Sequence, residues 1–90
     1  MLRITTILDR DPVPLLLLAG KLVGPWLDEL SRAVAAATGA AGPPELDLAS
    51  LYFVDGPGEC LLRGLLQRGC RLVACSGYVA ELLQGETQDP

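Results

Sequence analysis

Apolar residues along the chain fall into runs of two kinds, some unbroken or alternating and some recurring at three- and four-residue steps. Leu2 to Leu8 mixes β-branched and aliphatic residues (Ile4, Thr5, Thr6, Ile7) and predicts a strand. Asp9-Arg10-Asp11-Pro12 interrupts it, because proline lacks the N–H a ladder needs and favours a turn. Val13 to Ala19 then runs apolar without alternation, the pattern of a strand covered on both faces. Pro14 confines regular pairing to Leu15 onward, and the short link predicts an antiparallel hairpin.

Gly20 to Gly24 leads to Pro25, a favoured first-turn residue, and from there Trp26, Leu27, Leu30, Val34 and Ala37 share one helical arc. Asp28, Glu29 and Arg32 lie opposite, with Asp28 and Arg32 one turn apart. Thr38 to Pro44 ends this helix in a flexible connector. Leu46 to Val54 predicts the third strand, kinked at Ala49-Ser50. Asp55-Gly56-Pro57-Gly58 stops it and opens a second helix. On that helix Leu61, Leu62, Leu65 and Leu66 crowd one arc, while Arg63, Gly64 and Gln67 face away, and Gly69 terminates it. Arg71 to Cys75 predicts a last strand. Ser76 caps a final helical turn or two carrying Val79, Leu82 and Leu83.

The order β-β-α-β-α-β-α requires right-handed crossovers and three parallel strands, with the opening hairpin adding an antiparallel member. The expected fold is therefore a single small α/β domain over residues 1–84, a mixed four-stranded sheet with amphipathic helices packed on it. Residues 85–90 form a polar tail.

Composition fixes the setting. Ninety residues, half of them apolar and a fifth charged, suit one thin-cored globule and not a disordered chain. There are no histidines, so the commonest general base and metal ligand is missing, and an enzyme becomes the weaker expectation. Seven basic residues against eleven acidic give a net charge of −4, and the cations are scattered, which disfavours nucleic-acid binding. Cys60, Cys70 and Cys75 lack the number and spacing of a disulfide framework or a zinc site, and three small buried hydrophobes in a reducing compartment are expected instead. The first residues do not form a signal peptide, and Val13 to Ala19 is far shorter than the ~20 residues a membrane helix needs. A cytoplasmic protein is expected.

Chemistry has few places to reside. Gly56-Pro57-Gly58 lacks the third glycine of a dinucleotide fingerprint. Pro57 also removes an N–H that a phosphate would use, and Asp55 would repel the anion. Asp55 either caps the second helix, or presents its carboxylate to a partner, or does both. Asp47 has no assignable second carboxylate for acid–base work. Cys75-Ser76-Gly77 has no imidazole to activate a nucleophile, so Ser76 reads as a cap. Tyr52 and Phe53 fall on opposite strand faces, which predicts one ring under a helix. Trp26 reads as core, with an interface the alternative.

The run Leu46-Asp47-Leu48-Ala49-Ser50-Leu51-Tyr52-Phe53-Val54-Asp55-Gly56-Pro57-Gly58, followed by Leu61-Leu62 and Gly69-Cys70-Arg71-Leu72-Val73, resembles the STAS domain. Leu15 to Leu22 and Trp26 to Val34 fit that family's second strand and first helix. The likeness extends from about Leu2 to Leu83. STAS domains include bacterial anti-sigma factor antagonists, the cytosolic tails of sulfate transporters and a small subunit of lipid-transport ABC systems. The resemblance implies a regulatory binding module without catalysis or cofactor. In antagonists, an Asp-Ser-Ser-Gly-like turn opens the second helix, and its second hydroxyl residue is phosphorylated by a partner kinase. Here Asp55 and Gly58 agree with that pattern, but Gly56 and Pro57 hold the hydroxyl positions and cannot accept phosphate. Lys21-Leu22-Val23 likewise replaces the acidic residue common after the second-strand glycine.

The expectation is a phosphorylation-independent module that docks a protein through Asp55, Gly56, Pro57 and Gly58 and the outer face of the second helix, Arg63 included. An anti-sigma-type kinase or a transporter ATPase or permease is the implied partner class, and a homodimer stays open. Two alternatives remain: an accessory subunit of an ABC-type lipid or solute transporter, and an antagonist switched at Ser50 or Ser76.

Overall fold

The computed structural model describes residues 2–9 and 12–86, without the side chains of 84–86. Its elements follow the expected order: β1 (Leu2–Ile7), β2 (Leu15–Leu22), α1 (Trp26–Ala37), β3 (Glu45–Val54), α2 (Gly56–Gln67), β4 (Leu72–Cys75) and α3 (Gly77–Glu86). One sheet holds all four strands in the order β1-β2-β3-β4. The β1–β2 pair is antiparallel, with Ile7 opposite Leu15 as the first pair after the Pro14 break, and the other two pairs are parallel.

Each crossover steps to the next strand in the same direction. Right-handed connections then place α1 and α2 on one face of the sheet. The packing agrees: Leu16, Leu18, Leu22, Leu46, Leu48 and Leu51 meet Leu30 and Val34 of α1, Leu62 and Leu65 of α2, and Val79 of α3 in a single buried cluster. Each such leucine contributes about 1.5–3 kcal/mol by leaving water. A shortest dimension of 19 Å is that of one helical layer on one sheet layer. The expectation that β2 is covered on both faces is thus corrected. Leu15, Leu17 and Ala19 project from the side with no described helix and are only half-buried.

β3 is longer than its neighbour because it carries two extra residues. The four residues Asp47 to Ser50 lie against the three of Leu17 to Ala19, and a second excess falls between Leu51 and Phe53. The first bulge is the kink expected at Ala49-Ser50, and Asp47 Oδ1 stabilises it by accepting from the Ala49 N–H at 3.0 Å. These insertions break the two-residue alternation. Leu51 and Val54, three apart, both enter the core, and the rings between them turn outward: Tyr52 is 62% and Phe53 43% exposed. Neither ring lies under a helix, contrary to the alternation-based expectation.

β4 pairs only with Leu46 to Leu48, so the second half of β3 has no strand neighbour on that side. Side-chain hydroxyls from the start of α3 take its place. Ser76 Oγ donates to the Leu51 carbonyl at 2.8 Å, and Tyr78 Oη bonds both the N–H and the C=O of Val54. Ser76 Oγ also accepts from the Val79 N–H at 3.2 Å, the cap the sequence implied. The helix it opens runs ten residues, longer than expected and past the domain limit at 84. Residues 87–90 of the expected tail lie outside the described residues.

The remaining connections follow their sequence signals. Trp26 is half-buried and packs against the core. Asp28 and Arg32 approach to 3.8 Å with both side chains in solvent, a pair of little energetic weight. The connector after α1, expected to be flexible, is closed by reciprocal backbone bonds between Gly39 and Gly42 at 3.1 and 3.0 Å. Gly42, with φ of +123°, supplies the conformation that turn needs.

Candidate functional site at the Asp55 turn

β2 and β3 end side by side, with Leu22 in register with Val54, so the loops that open α1 and α2 emerge together. Asp55 joins them. Its N–H donates to the Leu22 carbonyl at 3.2 Å, its Oδ1 accepts from the Gly58 N–H at 2.8 Å, and its Oδ2 accepts from the Gly24 N–H at 3.2 Å. The capping role is therefore real, and the same carboxylate also braces the neighbouring loop. Both oxygens are engaged within the chain, which leaves Asp55 positioned as a brace and not as a free acid.

Gly58 is fixed by crowding. A Cβ there would lie 2.8 Å from the Leu22 carbonyl oxygen, 2.9 Å from Asp55 Oδ1 and 3.0 Å from Val54 Cγ1, and the first of these is immobile backbone. Gly56 is the opposite case, with nothing within 4 Å of an added Cβ. Gly56 and Pro57 are exposed, as are Gly24 and Pro25 beside them and Cys60 one turn further along α2. The turn is thus a solvent-facing rim whose backbone is held from beneath.

This rim makes a poor anion cradle. The Gly58 amide is taken by Asp55 Oδ1 and the Glu59 amide by Asp55 O, while Pro57 has none to offer. No hydroxyl stands at 56 or 57 to receive a phosphoryl group. Among the described residues no three His, Cys, Asp or Glu side chains gather closely enough to hold a metal ion.

Arg63, expected on the outer face of α2, is turned toward α3. Its guanidinium grips Glu59 Oε2 at 2.7 and 3.1 Å and donates to the Leu82 and Leu83 carbonyls at 3.0 and 3.3 Å. The second turn of α3 supplies both carbonyls, and a cation near the C-terminal half of a helix complements its dipole. Arg63 therefore locks two helices together at the flank of the turn.

Sequence reasoning overlooked the aromatic surface beside the rim. Phe53 and Tyr78 stack with centroids 6.4 Å apart and planes 15° from parallel, next to exposed Tyr52. The available signal was two consecutive aromatics just before a helix cap, in a strand with a kink that invalidates simple alternation.

The other candidate groups are dispersed. Ser50 is exposed on the bulge, whereas Ser76 spends its hydroxyl on the Leu51 carbonyl and its own helix. Of the three cysteines expected to be buried, Cys70 is, whereas Cys75 is half-buried and Cys60 is exposed. Burial pushes the Cys70 thiol above its ordinary value, an effect Arg68 partly offsets. An apolar hollow lined by Val34, Thr38, Leu65 and Cys70 lies at the far ends of α1 and α2, away from the Asp55 turn. No described helix is long and apolar enough to cross a membrane. No protein-family model matches the chain, and no curated protein matches it.

Proposed function

We propose that the chain is a non-catalytic, STAS-like interaction module that docks a protein partner through Asp55, Gly56, Pro57 and Gly58 and the exposed side of α2, without phosphorylation at the turn. The observation that carries this reading is the exposure of Gly56 and Pro57 on a backbone that Asp55 ties to two loops at once. A surface already held in one shape loses little freedom when a partner settles on it. The commitment of both Asp55 oxygens and the lack of histidine support binding over acid–base chemistry. The missing hydroxyls at 56 and 57 support constitutive docking over a phosphate switch. In this reading Arg63 shapes the flank by holding α3 against α2.

The test compares capture of proteins from native cell extract by the wild-type chain and by Pro57→Glu. Pro57 is exposed, so the fold should survive, as circular dichroism and the urea midpoint would report. Loss of one or more captured proteins is expected, and an anti-sigma-type kinase or a transporter ATPase is the class to seek among them. Identical captured sets, or no protein held by the wild type, would remove the reading.

A further inference from the structure

β2 places leucine on both sides of the sheet. Leu16, Leu18 and Leu22 enter the core, and Leu15, Leu17 and Ala19 point the other way. In register with these, Ile7 and Glu45 flank Leu15, Thr5 and Asp47 flank Leu17, and Arg3 and Ser50 flank Ala19. Lys21 lies beside Phe53 at the end of the same side, and Ala74 and a 48% exposed Val73 extend the surface onto β4. A sheet side that faces water normally alternates polar residues into the strand pattern, and parallel pairs are normally covered on both sides. The middle of this side is apolar and carries no described helix.

We propose that a second copy of this chain covers it, sheet against sheet, across a two-fold axis. The charges select that occupant. Arg3 and Lys21 stand toward β1 and the end of β2, exposed and with no ion pair among the described residues, whereas Asp47 stands toward β3 and the beginning of β2. An axis lying in the plane of the contact and passing near Leu17 and Ala19 exchanges these two regions. It sets the cations of one copy over the acid of the other and brings Leu17 close to its own counterpart. A surface carrying both signs at separated positions can complement itself in this way. An anionic membrane or a nucleic acid would be met by one sign alone.

Strand spacing and rise give the side roughly 19 by 23 Å, on the order of 450 Å² per copy in projection, the size of a weak, concentration-dependent dimer. This surface lies across the sheet from the helices and is independent of the Asp55 turn.

Analytical ultracentrifugation of the full chain from about 5 to about 500 µM tests it. The mass is expected to climb from 9.5 kDa toward twice that value. Leu17→Glu and, separately, Lys21→Glu should weaken association by about tenfold or more, while Lys21→Arg leaves it intact. Lys21 is exposed, so its variants keep the fold even if Leu17→Glu does not. A wild type that stays at the single-chain mass throughout overturns the proposal. So does a dimer that Lys21→Glu leaves unchanged, which would point to a different contact such as the free edge of β1.

Discussion

The hydroxyl of Tyr78 stands in for a missing strand beside Val54. It accepts from the Val54 N–H at 3.3 Å and donates to the Val54 carbonyl at 3.2 Å, so one side-chain atom satisfies both backbone groups of a residue that β4 does not reach. Without it a half-buried edge would hold two polar groups with poor access to water. Tyr78→Phe keeps the ring stacked on Phe53 and removes only these bonds. A loss of about 1–3 kcal/mol is expected in urea unfolding, with faster hydrogen exchange at the Val54 amide. Tyr52→Phe, which alters an exposed ring, is the control and should change stability by less than about 0.5 kcal/mol.

The two glycines of the turn should respond in opposite ways. Gly58→Ala drives a methyl group against the Leu22 carbonyl, and a cost of about 2 kcal/mol or more is expected from the displacement of backbone. Gly56→Ala meets open space at the first position of α2 and restricts the unfolded chain. It should be neutral or stabilising by up to about 1 kcal/mol. Urea midpoints of the two variants measured together check the contrast. Equal effects would show that crowding at Gly58 is relieved by movement of the loop.

Cys70 predicts a dependence on alkaline pH. Its thiol is raised above the ordinary value of 9.0 by burial, so as pH rises the unfolded chain loses this proton before the folded one does. The folded state then binds more protons, and stability falls as pH climbs through and beyond 9.0 toward the folded-state value. Below that range the contribution is fully present. Urea midpoints measured across this range should decline more steeply for the wild type than for Cys70→Ala, whose absolute stability is lower from the lost packing. In alkylation at neutral pH, exposed Cys60 should react first and Cys70 last.

Much of this was legible in the sequence because local signals and packing agreed. The element order, the start of β2 after Pro14, the kink at Ala49-Ser50 and the caps at Asp55 and Ser76 each follow from one residue's backbone chemistry. What escaped depended on relations between elements. The outward turn of Tyr52 and Phe53 follows from a second inserted residue in β3, which no residue type announces. The inward turn of Arg63 depends on α3 packing alongside α2, and the bare side of β2 depends on both crossovers stepping the same way. Likewise the second bond of Asp55, to Gly24, joins residues 31 apart in sequence, beyond the reach of any local pattern.

The strand order has a consequence for how the molecule is made. Every strand lies next to the one synthesised just before it, so a nascent chain leaving the ribosome always meets a template already in place. The strand order lets each later strand join at a single margin. No insertion between existing strands is ever required. Such step-by-step accretion shortens the time during which the leucine-rich second strand waits unpaired, the stage at which a small greasy protein is most open to aggregation.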